Sequence, residues 1–330
     1  MIIRIPCAGP AATLAAALLG VVGCAGTDQA ATDQASTPDD RLTVVASTDV
    51  WASVVRAVAG DSVEITTIID DPAGDPHSYE SSPADAAEVA GADLVVFNGG
   101  GYDEFIEQIL AQAGAEPRDK PTVEAVAVAG EEPHAGQASG AGEATGAGEP
   151  DAHGHEAGAN EHVWYDLPVV AEVAEHTAEE LATLAPEQAA QFTANAESFR
   201  SGIDELSAEL SAIAATQAGE PVMMTEPVAQ YLIEAAGLDD RTPPEFLEAV
   251  EEETDPPAAA VAATNDLLTQ QQVRVLIYNP QTETPVTGQV RAVAESAGIP
   301  VVVMTETLPE GTDFRGWMSG QIDALAEALR

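Results

Sequence analysis

Residues 42–69 read LTVVASTDVWASVVRAVAGDSVEITTII. The run Leu42 to Ala46 is short, apolar and rich in β-branched residues, so it reads as a buried strand. Val50, Val54, Val55 and Val58 then recur at helical spacing, and Gly60 follows as a helix terminator. Val63 to Ile69 is a second strand. Strand, helix, strand within 28 residues is the unit from which parallel sheets are built.

The same rhythm continues outward. After the loop Asp70 to His77, Ser82-Pro83 opens a helix, with Ser as N-cap and Pro at its first position. Leu94 to Asn98 is a third strand. A Gly99-Gly100-Gly101 turn and a helix from Phe105 to Leu110 follow. Residues 130–159 break the pattern. They are rich in Gly, Ala and Glu without apolar periodicity and read as a surface loop. From Pro168 to Thr216 the chain is helical, interrupted at Ala185-Pro186. Phe192, Phe199, Ile203, Leu206, Leu210 and Ile213 mark a rod of roughly 40 Å at 1.5 Å per residue. The alternation then restarts. Strands are expected at Val222 to Thr225, Val273 to Asn279 and Pro300 to Met304, and helices at Pro227 to Ala236, Pro285 to Ala297 and Phe314 to Leu329. Two similar α/β lobes flank a helical connector. The expected segments are a lobe at 41–167, the connector at 168–217 and a second lobe at 218–330.

The N-terminus reads as an export signal, 1–23, with Arg4, a short apolar run from Ala11 to Val22, and a small-residue end. Val21-Val22-Gly23-Cys24 looks like a lipobox, in which Cys24 receives lipid and holds the chain at the outer face of the cell membrane. Residues 24–40 read as a flexible tether. Cys7 leaves with the signal, so no intrachain disulfide is expected. Fifty-six acids against 11 bases give a net charge of −45, which excludes a nucleic-acid partner, because phosphate binding needs Lys and Arg clusters.

Ligands of open α/β sheets bind beyond the carboxyl ends of the strands. Glu226 stands immediately after the strand Val222 to Thr225, Glu306 two residues after Met304, and His77 in the loop after Ile69. His162 precedes the connector. Two imidazoles and two carboxylates make a competent site for a divalent transition metal. Zinc takes such a set as a tetrahedron, and manganese accepts it with bidentate carboxylates. Each residue also has a plainer reading: Glu226 as a helix cap, Glu306 as solvated surface, either His as an ordinary loop residue. Four of the six histidines lie between His134 and His162. His134, His153 and His155 read as loop residues facing solvent, which as an auxiliary capture loop would raise the local metal concentration, and His176 reads as helix surface.

The flanking residues add a resemblance. Asp75-Pro76-His77-Ser78-Tyr79-Glu80 with Ser82-Pro83-Ala84-Asp85, and Glu161-His162-Val163-Trp164-Tyr165-Asp166, resemble the two signatures of the zinc/manganese ABC-transporter solute-binding lipoproteins. Tyr278-Asn279-Pro280-Gln281-Thr282 and Thr305-Glu306-Thr307 resemble their C-terminal landmarks. The resemblance covers Leu42 to Arg330. It implies an α/β fold of two Rossmann-like lobes joined by a long rigid backbone helix, with one metal in the interlobe cleft. It implies a monomer that delivers Zn²⁺, or alternatively Mn²⁺, to a membrane permease with a cytoplasmic ATPase. His77 and His162 match the family's ligands directly. Glu226 stands where His or Glu is usual, and Glu306 where Asp is usual. Binding to two neutral imidazoles should weaken below pH about 6.5, the reference His value. A surface adhesin on the same fold, and a metal buffer without a transporter, are the alternatives. A zinc hydrolase is disfavoured because H-E-x-x-H is absent.

Overall fold

The computed structural model describes residues 41–72, 76–112, 120–131 and 160–330. Cys24, the expected signal and tether, and His134, His153 and His155 lie outside the described residues.

The first lobe holds strands β1 (Leu42–Thr48), β2 (Val63–Ile69), β3 (Leu94–Phe97) and β4 (Thr122–Glu124) in the order β2-β1-β3-β4, all parallel. Helices α1 (Asp49–Ala59), α2 (Pro83–Gly91), α3 (Glu104–Gln112) and α4 (Ala125–Glu131) follow the strands in turn. Thr48 caps α1, and Ser82 closes a capping box with Asp85 at the start of α2. The second lobe repeats the plan. Strands β5 (Pro221–Met224), β6 (Asp239–Asp240), β7 (Val275–Tyr278) and β8 (Val301–Val303) lie in the order β6-β5-β7-β8, again parallel.

Strand periodicity sorts the side chains. Val44 and Ala46 of β1 join one apolar cluster, while Val45 faces another with Val89, Phe97 and Ile106. In β7, Val275 and Ile277 face the first cluster and Leu276 the opposite side, with Phe246 and Leu268. Both sheets are therefore covered on two faces, as parallel sheets must be.

Residues 167–217 form a hairpin. Helix α5 (Leu167–Leu184) packs on the first lobe, against α1, α4, β3 and β4. The chain reverses through the turn at Pro186–Gln188. Helix α6 (Ala189–Gln217) then touches α1 and α5 on one side, and α7 (Gln230–Ala235) and α11 (Phe314–Ala328) on the other. Phe192, Phe199, Leu206 and Leu210 bury into a cluster that runs without a break from Val44 and Trp51 to Leu232 and Phe314. One continuous core thus crosses both lobes. Truncating any of its large side chains to Ala costs roughly 2–5 kcal/mol.

Sequence reading passed over β4, α4, β6, α8 (Pro244–Glu251) and α9 (Ala258–Thr269), and α4 takes in Gly130 and Glu131, which that reading assigns to the loop. The two strands are three and two residues long, and β6 is Asp-Asp, so no apolar alternation announces them. Helix α9 is Ala-rich, and its polar and apolar faces are poorly separated.

Candidate metal centre

Three of the four candidate side chains, His77, Glu226 and Glu306, are delivered by short irregular segments beyond the carboxyl ends of β2, β5 and β8. His77 lies on a single turn, Pro76–Ser78, beyond β2. His162 is fully buried, just ahead of the turn Val163–Tyr165 that leads into α5. That turn is anchored by its aromatics. The Trp164 ring packs 5.1 Å from His162 and 4.7 Å from Tyr102. The Tyr165 hydroxyl donates to the Thr305 carbonyl at 2.8 Å and reaches Gln321 at 2.9 Å. Tyr102 arrives through Gly99, Gly100 and Gly101, all at positive φ. A Cβ on Gly99 would strike the Glu124 side chain, so this turn needs glycine for both conformation and space.

One ligand atom from each of His77, His162 and Glu306 lies within 4.8 Å of the others. Glu306 is 1% exposed, which excludes the solvated-surface reading. Its Oε2 accepts from the Tyr102 hydroxyl at 3.0 Å and faces His77 Nε2 at 3.4 Å. Its backbone N–H donates to Gln281 at 2.6 Å. Glu226, 2% exposed, makes no side-chain cap on the turn that Pro227 begins. It stands outside the group of three and reaches it through Asn279, whose Nδ2 donates to Glu226 Oε1 and, at 2.7 Å, to Glu306 Oε1. Thr282 donates to Glu226 Oε2.

The two histidines are prepared differently. Asn160 Oδ1 accepts the His162 backbone N–H at 3.0 Å and faces Nδ1 at 2.6 Å. An amide oxygen only accepts, so Nδ1 carries the hydrogen and Nε2 keeps its lone pair. Nε2 is buried without a hydrogen-bond partner among the described residues. Burial pushes the His162 pKa down to about 3, with the Glu306 charge opposing and His77 assisting, so the ring is neutral at ordinary pH. A buried imidazole with one nitrogen held by a second residue and the other open is how proteins present a metal ligand.

His77 has carboxylates at both nitrogens, with Glu161 at 3.3 Å from Nδ1 and Glu306 at 3.4 Å from Nε2. Burial opposes its charge. The Glu306 hydrogen bond and the charges of Glu306, Glu161 and Glu251 outweigh that and push it up to about 10. Glu306 in turn is raised by burial but lowered more by its His77 partner, for a net depression. Glu226, buried and beside the Glu306 charge, is pushed up to about 8. Without metal, the His77 imidazolium is the cation among these acids.

Beyond His77 and Glu226 lies a cavity of about 400 Å³, also lined by Glu251 at the end of α8 and by Glu253 and Asp255 just after it. Glu251 stands 3.8 Å from His162 Nδ1, and burial pushes its carboxyl up to about 7. Glu253 holds φ +52°, an uncommon conformation for a side-chain-bearing residue. His176 lies on the surface of α5, 44% exposed, near Glu179. Tyr102, Asn160, Glu251 and Asn279 escaped the sequence reading as functional residues. Asn279 was within reach of the strand-end rule, since it follows β7 directly. Glu251 sits in an acidic helix end indistinguishable from solvated surface.

The structure thus has two parallel-sheet lobes, with an acidic, histidine-bearing group of side chains drawn from both. The family described as zinc-uptake complex component A, periplasmic (ZnuA), matches residues 44–328, and the chain belongs to it. That family is one of uptake components and not of enzymes, in line with the sequence reading. The manganese-binding lipoprotein MntA of Bacillus subtilis (strain 168) is 23% identical over 190 residues, 58% of this chain and 54% of MntA. The iron ABC transporter substrate-binding lipoprotein MtsA of Streptococcus pyogenes serotype M1 is 39% identical over 61 residues, 18% of this chain and 19% of MtsA. The chain thus spans about half, or less, of the length of these curated relatives. The periplasmic zinc-binding protein TroA from Treponema pallidum shares the fold, with a TM-score of 0.67 at 18% identity, over 88% of this chain and 99% of TroA.

Proposed function

We propose that the protein is the extracytoplasmic solute-binding component of an ABC importer, which captures a divalent transition metal between its lobes and hands it to a permease driven by a cytoplasmic ATPase. His77, His162 and Glu306 are the proposed ligands, with Glu226 as the fourth. The reading rests above all on His162. Its Nε2 is buried and has no hydrogen-bond partner among the described residues, which costs roughly 1–3 kcal/mol, and a metal ion is the partner that removes this cost. Zn²⁺ is the proposed cargo and Mn²⁺ the alternative, since two imidazoles with two carboxylates accept either. The relatives carry names for manganese, iron and zinc, so competition between metals is part of the test. The continuous core across the lobes opposes a wide hinge motion, which favours release by local movement of the His77 and Glu306 loops. Lipid on Cys24 is the proposed anchor, checked by whether Cys24→Ser releases the protein from cells.

The test is calorimetric titration of the metal-stripped protein with Zn²⁺ and Mn²⁺ at pH 7.5, with and without His77→Ala. One tight site lost in the variant supports the reading. Binding that survives His77→Ala overturns it, and tighter Mn²⁺ than Zn²⁺ overturns the choice of cargo.

A further inference from the structure

The strand order puts β7 between β5 and β8. Three neighbouring strand ends therefore present Glu226, Asn279 and Glu306 side by side. All three are at most 2% exposed. Two buried carboxylates this close repel, and they either splay apart or share a proton. Asn279 Oδ1 accepts the Gln281 backbone N–H at 2.9 Å, so its NH₂ group is the end that faces the acids. It donates to Oε1 of Glu226 and to Oε1 of Glu306. An NH₂ group has two hydrogens, and each carboxylate receives one.

We propose, resting on the cargo-site reading above, that Asn279 is a positioning residue that pairs Glu226 with Glu306 and fixes which of their oxygens face the metal. With both Oε1 atoms engaged, Glu306 Oε2 is directed to His77 and Tyr102, and Glu226 Oε2 to Thr282. A neutral donor suits this task. Lys or Arg in its place would bind the same oxygens but cancel the negative charge that attracts a cation. An acid would add a third repelling charge. The first lobe sharpens the point. Asn98 occupies the equivalent position after β3, yet its Nδ2 donates to the backbone carbonyls of Glu161 and Gly99, at 2.9 and 3.1 Å. An asparagine there does not pair acids as a matter of fold; only the second lobe uses it so.

The experiment measures Zn²⁺ affinity of the metal-stripped protein at pH 7.5 for Asn279→Leu, Asn279→Ala and Glu226→Gln, with His77→Ala as reference. Asn279→Leu keeps the volume and removes both donors, and is expected to lose about 10- to 100-fold, the range for partners that orient ligands. Asn279→Ala leaves room for a water that can donate to both acids, and is expected to lose less. A packing role predicts the reverse order, because leucine fills the space and alanine leaves a cavity. Combining Asn279→Leu with Glu226→Gln should cost less than the sum of the two. Affinity of Asn279→Leu within about twofold of wild type, alanine worse than leucine, or strict additivity would each overturn the assignment. Should the leucine chain not fold, Asn279→Ala with and without Glu226→Gln carries the test through non-additivity alone. Zn²⁺ binding that survives His77→Ala overturns the cargo-site reading and this proposal together. A loss there with Asn279→Leu unaffected overturns this proposal alone.

Discussion

The two lobes share one strand order and differ in what they put at the strand ends. The first contributes imidazoles, His77 and His162, and the second carboxylates, Glu226 and Glu306. Each is braced partly by the other lobe. Asn160, which orients His162, donates to the Pro227 carbonyl at 2.8 Å and takes the Tyr231 hydroxyl at 2.7 Å. The loop carrying Glu306 is tied to the first lobe where Leu308 N–H donates to Asp49 and Phe314 N–H to Ser53. A repeated framework thus gains a site by differing at a few terminal residues, and neither lobe holds its half alone. The contrast extends to the two histidines, one kept neutral by burial and the other kept charged by its neighbours.

The comparison breaks most visibly if one histidine is removed. His77→Ala should lower Zn²⁺ affinity by more than the roughly 100-fold lost with an outer partner, measured by competition with a chelator of known affinity. Glu306→Ala should do the same, and a milder loss there would shift weight to Glu226.

The second effect separates the histidines by proton. His77 holds its proton up to about pH 10 in the metal-free protein and must release it to bind, whereas His162, lowered to about 3, has none to lose at neutral pH. Affinity should fall about tenfold per unit from pH 8 to pH 6, not only below the reference value of about 6.5. Calorimetry in buffers of different ionisation enthalpy should show at least about one proton released at pH 7.5. No buffer dependence would mean that His77 is neutral before binding. The same shift bears on stability. A folded-state pKa above the unfolded one contributes stability in full below about 6.5 and loses it as pH rises through about 10. The metal-free protein should therefore unfold more readily between pH 7 and 10, and the metal-loaded protein should be protected, as thermal unfolding can record.

A smaller change tests the crossing contacts. Tyr102→Phe removes the hydroxyl on Glu306 Oε2 and should cost about tenfold in affinity, with the ring packing against His77 and Trp164 retained. The smallest effect belongs to the cavity rim. Glu251→Gln should slow metal association less than about tenfold at low salt. The difference should vanish near 1 M salt, where the Debye length is about 3 Å, in stopped-flow measurements. An unchanged rate at low salt would show that Glu251 does not steer the ion.

Local chemistry made much of this legible in the chain. Apolar runs of period two and 3.6, Ser82-Pro83, and Gly60 identify β1, α1, β2 and the start of α2, because strands buried on both faces and capped helices carry their signal within a few residues. The strand-end rule led to His77, Glu226 and Glu306 for the same reason. The hairpin of α5 on α6, the burial of Glu306, the Asn279 bridge and the opposite states of the two histidines were not legible. Each depends on groups far apart in the chain: Tyr102 meets Glu306 across 204 residues, and Asn279 meets Glu226 across 53. Residue type determined which side chains are able to hold a metal. Only the tertiary structure decided which are buried, which are charged and which oxygen each one offers, because desolvation and charge coupling act through space and not along the sequence.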